Sequence, residues 1–421
     1  MEILVLKYGQ STMSVRIPRR SLFGVLRPAE PDMPKDERGE IERALNEPIG
    51  SDRIQDIARP GARVTIMVSD ATRPAPSHKM LPPLLQRLRD AGIDDGDITI
   101  VFGMGIHRAM IQDEKRTLVG PEVYARYKCV ESTHSGEYVY LGTTSRGTPV
   151  EVCPEVHSSD ILICTGNIEY HYFAGYSGGS KAVLPGACSR RTVEANHSMQ
   201  FLPGAELGSY EDNPVRQDIE EAGRIIGVDF ILNVVLDEKK RIVKAVAGDP
   251  VAAFQAGRRV ADQVYGVPIE RQADIVLASA GGRPKDLNLY QAQKALTNAA
   301  RAVREGGVVI LVAECPEGLG EKGFQEYMTT YPPAEIIRRI SDKFVLGAHK
   351  AAAVARVLMR TRVFLVSSIA PDLVASCGMT PFQCAQEGFS AAYGQWGCDQ
   401  GSRDASVLVM PYAGSTVPRP I

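Results

Sequence analysis

The sequence predicts an α/β protein with two domains, mostly parallel sheets and an active site in the cleft between the domains. Three observations carry this expectation. Short apolar runs at residues 63–69, 97–102 and 160–164 read as buried strands and alternate with amphipathic stretches of helical period. Each run ends in a polar, glycine-bearing cluster, as strands of a doubly wound sheet do. The same rhythm restarts at residue 273, after Val267-Pro268, and a chain of 421 residues exceeds what one core usually serves.

Residues 1–25 alternate apolar and polar around Tyr8-Gly-Gln, which predicts a β-hairpin. Residues 28–40 form a loop, and residues 40–58 read as a helix that stops before Pro60-Gly61. The strand 63–69 runs into Asp70-Ala-Thr72-Arg73-Pro74. A helix over 79–91 follows, with Leu81, Leu84, Leu85 and Leu88 on one face and Gly92 at its end. The strand 97–102 ends in Gly103-Met-Gly-Ile-His107-Arg108, and the next helix carries Asp113 and Glu114 near its start. Short strands lie within 139–152, and the strand 160–164 feeds a glycine-rich loop at 166–186. Helix is expected over 192–197, loop over 203–214, a hairpin over 230–247 turning at Asp237-Glu-Lys-Lys, and helix to Tyr265. Val267-Pro268 reads as a linker. Beyond it strands are expected at 273–278, 308–312, 363–367 and 407–410, and helices at 288–305, 352–359 and 381–396. The domain expectation is 1–267, joined by 405–421, and a smaller domain over 268–404.

Composition narrows the function classes. A net charge of −2 leaves no basic footprint for nucleic acid or anionic membrane, so any anion site must be local. No apolar run reaches membrane length, and the first residues are too short and too alternating for a signal peptide. Eight cysteines without a Cys-x-x-Cys pair fit reduced thiols in a cytoplasmic protein.

The loop at 166–186 combines glycines, His171 and Lys181. Such glycine density lets backbone N–H groups approach an anion, and a lysine within it offers a charge or an amine nucleophile. A tight structural loop with a surface lysine is the plainer reading. His107, His171 and His197 all fall in glycine-bearing, post-strand regions, and two histidines at the ends of different parallel strands form a candidate proton-transfer pair. If the strands are neighbours, the Asp70/Thr72/Arg73, His107/Arg108 and His171–Lys181 clusters converge on one crevice. Gly103-Met-Gly105 lacks the third glycine of a dinucleotide fingerprint, and Gly-Ser-Lys181 inverts the order of a P-loop, so ordinary NAD or ATP binding is poorly supported. Histidine spacing gives no zinc signature either. Arg73 could grip a carboxylate, and Gln291 and Lys294 share one face of a predicted helix, which equally describes a solvated face.

Together, Ser69-Asp-Ala-Thr-Arg-Pro74, Gly105-Ile-His-Arg108, Tyr170-His-Tyr-Phe-Ala-Gly-Tyr-Ser-Gly-Gly-Ser-Lys-Ala-Val-Leu-Pro-Gly186, Asn196-His197 and Gln291-Ala-Gln-Lys294 resemble the nickel-pincer lactate racemase family of 2-hydroxyacid racemases and epimerases. The resemblance spans most of the chain, and the central loop is its most specific part. It implies a nickel-pincer nucleotide cofactor, the pyridinium-3-thioamide-5-thiocarboxylic acid mononucleotide with nickel, tethered covalently at Lys181. His197 would supply the protein's nickel ligand, and His107 and His171 would be the acid/base pair. Arg73, Gln291 and Lys294, with Tyr290 beside them, would orient the substrate. Asp70, Thr72, Ser177, Gly178, Gly179 and Ser180 would flank the cofactor. The implied partners are a small 2-hydroxyacid and the enzymes that build the cofactor. Two other classes stay open: a hydroxyacid dehydrogenase using another cofactor, and a non-catalytic carrier of the nickel nucleotide. The joint presence of His107 and His171 argues for catalysis, because a carrier would not need both.

Overall fold

The computed structural model describes every residue except 29, 30, 238, 343–346, 401–403 and 421, and the side chains at 397–400 and 420 are left aside. Contacts divide the chain into two compact units, Pro31–Val264 and the pair Met1–Glu30 with Tyr265–Ile421. This differs from the expected division at both ends of the chain. The break near 265 falls where the proline and the restarting rhythm place it. Residues 1–30 and 405–421, expected with the first domain, pack with the second. The reason is long-range pairing: Leu22–Val25 and Val407–Met410 are neighbouring parallel strands of that unit's sheet.

The 31–264 unit is built on a six-stranded sheet in the order Ile242–Gly248, Phe230–Leu236, Ile161–Asn167, Val64–Ser69, Ile98–Gly103 and Lys128–Glu131. All neighbours are parallel except the first two, which form the expected antiparallel hairpin; Glu238 of its turn lies outside the described residues. From Val64–Ser69 the chain steps outward to Ile98–Gly103 and Lys128–Glu131, then returns to the opposite flank as Ile161–Asn167. The sheet therefore reverses direction between Val64–Ser69 and Ile161–Asn167, the position where doubly wound sheets hold ligands. Helix Ser77–Asp90 covers one face with Met80, Leu81, Leu84, Leu85 and Leu88. These fully buried side chains each contribute about 1.5–3 kcal/mol and join Ile66, Ile100, Ile163 and Leu232 in one core. The helix expected over 40–58 is two helices, Glu37–Asn46 and Ile54–Ile57. Between them Pro48 cannot donate, Gly50 takes a φ of 72°, and Ile49 bridges to Gly248. The strand Lys128–Glu131 and the helix Pro214–Ile226 had no counterpart in the sequence reading.

The other unit has its own six-stranded sheet, entirely parallel: Thr380–Phe382, Arg362–Val366, Val303–Val312, Ala273–Ser279, Val407–Met410 and Leu22–Val25. The hairpin Glu2–Tyr8 and Ser11–Ile17 buries Leu6, Val15 and Ile17 into that core. Val267-Pro268 is no linker; it lies in the strand Gly266–Ile269, which pairs with Val417–Pro420 in a two-stranded ribbon that tolerates a proline. The helix expected from 381 begins at Ala385, because Thr380–Phe382 is a strand. Helix Leu289–Ala302 forms as expected, capped by the Asn288 side chain. Among the described residues no helix is long and apolar enough to cross a membrane, and the seven described cysteines are free thiols.

Candidate active site

The site in the 31–264 unit is made by chain leaving three adjacent strands. Ser69 and Gly103 are register partners, so the residues after them emerge together. Asp70, only 3% exposed, is the hub of this edge. Its Oδ1 accepts from the Thr72 N–H (2.9 Å) and the Thr72 hydroxyl (2.6 Å). Its Oδ2 is hydrogen-bonded to Nδ1 of His107, which reaches it through a turn at Gly105 (φ 54°). Burial would raise the Asp70 carboxyl, but the hydrogen bonds from His107 and Thr72 outweigh it and hold the group below the usual aspartate range. Since the carboxylate can only accept, Nδ1 of His107 is the protonated nitrogen and Nε2 keeps its lone pair. The His107 ring is exposed, whereas Arg73 is half-buried. Among the described residues no carboxylate or carbonyl binds the Arg73 guanidinium.

The third strand feeds the glycine loop. Tyr170–His171 and Gly175–Tyr176 pair as a minimal antiparallel ladder. Gly175 is required at its bend (φ 72°), since a Cβ there would lie 1.8 Å from the Ser209 carbonyl oxygen. His171 Nδ1 accepts from the Ala174 N–H at 3.2 Å, so the neutral ring carries its proton on Nε2. The ring stacks on Tyr172 and meets the edge of Phe173. Burial, then the cationic groups of Lys181 and Arg73, holds His171 well below the ordinary histidine pKa. The Tyr170 and Tyr176 hydroxyls both donate to Asp262 Oδ1, at 2.8 and 2.7 Å, and fix the ladder from below.

The rest of the loop is gripped by buried polar groups. Ser177 donates to the Asn167 carbonyl, Gly179 N–H donates to Asn233 Oδ1 at 2.7 Å, and Ser180 donates to Glu220 Oε2 at 3.2 Å. Arg216, fully buried, binds Glu220 Oε1 through Nε and Nη2 (2.8 and 2.6 Å) and clamps the Tyr176 and Gly178 carbonyls with Nη1. Lys181 follows in a short 3₁₀ turn, 9% exposed. Burial, then the guanidinium charges of Arg73 and Arg216, pulls its amine well below the ordinary lysine pKa, with Asp70 and Glu169 opposing. His197 stands in the last turn of helix Arg190–Ser198, edge-on to Phe173 with ring centroids 5.0 Å apart.

The structure thus gathers Asp70, Thr72, Arg73, His107, His171 and Lys181 at the reversal point of one sheet, the convergence expected of neighbouring strands, while Arg108 turns to Glu114 and His197 comes from helix Arg190–Ser198. Each acts electrostatically on, or bonds to, another of the set. Ser177, Gly178, Gly179 and Ser180 lie in the loop; the Ser177 hydroxyl bonds within it and the Ser180 hydroxyl ties it to Glu220. Tyr290, Gln291 and Lys294 belong to the other unit. Gln291 and Lys294 are exposed on helix Leu289–Ala302, while Tyr290 carries the Lys350 ammonium 3.9 Å over its ring. Sequence reasoning missed Arg216, Glu220, Asp262 and Asn233. The Arg216/Glu220 spacing of four on a helix was the available sign of an ion pair, but it does not reveal burial.

Residues 8–208 match the family described as lactate racemase N-terminal domain, and residues 269–417 match that described as lactate racemase C-terminal domain. A lactate racemase of Lactiplantibacillus plantarum is 34% identical over 423 residues, covering 98% of both chains. A lactate racemase of Thermoanaerobacterium thermosaccharolyticum is 33% identical, covering 90% of this chain and 92% of that one. The solved structure of the lactate racemase apoprotein from Thermoanaerobacterium thermosaccharolyticum matches with a TM-score of 0.88 at 32% identity, over 99% of this chain and 100% of that one.

Proposed function

The chain belongs to the lactate racemase family and is an isomerase, and from that premise we propose that it inverts the C2 stereocentre of a 2-hydroxyacid, lactate or a near relative, with a nickel-pincer nucleotide tethered at Lys181. The observation that carries the reading is the pair of differently held histidines after two strands of one sheet, His107 on Asp70 and His171 in the glycine loop, with a buried lysine whose pKa burial pulls well below its ordinary value.

The residues fit such a cofactor. Among the described residues no group of three or more His, Cys, Asp or Glu gathers as metal ligands. A nickel ion here would take most donors from the organic group and one from His197. Lys181 is held toward its neutral, nucleophilic form, which is what acylation of an amine requires. When bound, the nucleotide would supply a place to take up and return a hydride at the substrate's C2.

The chain's own residues do the remaining work. His107, with Nε2 bare, accepts the hydroxyl proton, and Asp70 stabilises the imidazolium that forms. His171 donates an Nε2–H hydrogen bond to a substrate oxygen. To act as the acid on the other face it would first gain a proton as an imidazolium and give that proton to the keto oxygen. It ends neutral while His107 ends protonated, so that the opposite enantiomer runs the exchange in reverse. The planar fork of Arg73 matches a carboxylate, and Gln291 and Lys294, with Tyr290, would complete the grip. The tight backbone at Gly178 and Gly179, with Ser177, Ser180, Asp70 and Thr72, would border the nucleotide. The protein would act in the cytoplasm and receive its cofactor from the enzymes that assemble it. Neither nucleic acid nor membrane enters this reading.

The test is expression alongside the cofactor-building enzymes, followed by intact mass, nickel analysis and a panel of chiral 2-hydroxyacids. An adduct mapping to Lys181, about one nickel per chain as a single site requires, and loss of optical activity are expected. No adduct and no nickel would remove the cofactor from the proposal. An adduct without racemisation of any 2-hydroxyacid would leave a carrier.

A further inference from the structure

We infer that Asp218 and Asn196 form a positioning relay that fixes the tautomer of His197, with the proton on Nδ1 and the lone pair on Nε2, the nitrogen that would bind a metal. Asn196 is fully buried beside His197 on helix Arg190–Ser198. Its Nδ2 donates to Asp218 Oδ2 at 2.8 Å and to the Val215 carbonyl at 3.2 Å. A carbonyl and a carboxylate only accept, so the amide can stand only one way round. Its oxygen must then face His197, and it lies 3.0 Å from Nδ1. An amide oxygen only accepts, so Nδ1 must be the protonated nitrogen.

The relay is anchored behind Asn196. Asp218 is also fully buried. It accepts from the Thr144 hydroxyl at 2.5 Å and the Thr148 hydroxyl at 2.8 Å. The Thr144 oxygen is itself held by the Thr148 N–H at 3.1 Å, which aims its proton at Asp218. Among the described residues no lysine or arginine pairs with Asp218. A buried carboxylate served only by neutral donors costs stability that an apolar side chain would not. The carboxylate polarises the amide, and the amide in turn draws on Nδ1–H and makes Nε2 the better donor to a metal. Asp218 and Asn196 touch neither substrate nor cofactor in this scheme; they act through His197.

The metal half of the inference rests on the proposed nickel nucleotide, and the tautomer half does not. The test is therefore made first on apoprotein with ¹⁵N-labelled histidine, by two-bond proton–nitrogen correlation, with the His197 signals identified by their loss in His197→Gln. The expected pattern is Nδ1 protonated and Nε2 bare. In Asp218→Asn, with its fold checked by thermal melting, the pattern is expected to shift toward Nε2–H. Nickel should leave that loaded variant about 10- to 100-fold faster into a chelator. An Nε2-protonated His197 in the unmodified protein would overturn the relay, whether or not the variant folds. An unchanged pattern in folded Asp218→Asn would overturn the part given to Asp218. The relay pattern in a chain that never takes up nickel would leave the relay standing and strike only the cofactor reading.

Discussion

His107 and His171 follow the two strands that flank Val64–Ser69 in one sheet, yet they are held by opposite means. His107 is exposed and tied by one nitrogen to one carboxylate, Asp70, which the preceding strand delivers. His171 is held by no carboxylate among the described residues; its Nδ1 accepts from the Ala174 N–H of its own loop. Its place comes from the loop, which Arg216, itself held by Glu220, clamps by its carbonyls and Asp262 fastens through two tyrosines. A strand end can present a side chain with one local partner, because the sheet already fixes the backbone. A glycine-rich loop has no such frame and needs a buried network to replace it.

The comparison can be broken at several points. His107→Ala and His171→Ala should each cost about 10²- to 10⁴-fold in turnover while nickel and the Lys181 adduct persist; unchanged activity in both would end the two-histidine scheme. Glu220→Gln should lower unfolding free energy by about 3–5 kcal/mol, because it strips a fully buried arginine of its counter-charge. Chemical denaturation measures this, and the loss should disorder the His171 side of the site and spare Asp70–His107. Asp70→Asn should cost about 10- to 100-fold in turnover, since it removes the carboxylate that holds His107 by Nδ1. Lys181→Met should stabilise the apoprotein by about 1 kcal/mol at pH 7. The sign follows from linkage. Unfolded chain keeps a lysine proton up to about pH 10.4 that the folded chain sheds earlier, so stability through this group rises with pH and falls in acid. Histidine proton NMR gives the mildest test: His171 should keep its neutral-ring shifts down through pH 6, because burial and nearby cations hold its pKa low. Through the same group, stability should decline as the pH drops below about 6.5, where the unfolded histidine charges first.

What could be read from the residues alone divides along the same line. Asp70, Arg73, His107, His171 and Lys181 each follow an apolar run, and the rules of parallel sheets bring such ends together without any knowledge of contacts. The clamp was not readable. Arg216, Asp218 and Glu220 look like the wet side of an amphipathic helix, and only packing of Pro214–Ile226 against the loop shows them buried. The same limit explains the termini. Nothing local in Leu22–Val25 says that its partner is Val407–Met410, and nothing in Val267-Pro268 announces a strand until Val417–Pro420 lies beside it.

The pairing of Leu22–Val25 with Val407–Met410 has a consequence for how the chain is made. Strand Leu22–Val25 leaves the ribosome early, and its neighbour Val407–Met410 follows about 380 residues later. At about 5–20 residues per second that interval is roughly 20–80 s, during which residues 31–264 can complete their own sheet while the first hairpin has no core to join. The amino-terminal unit of the polypeptide is thus the last to be finished, and a stalled or truncated chain would display Leu6, Val15 and Ile17 to solvent and to chaperones.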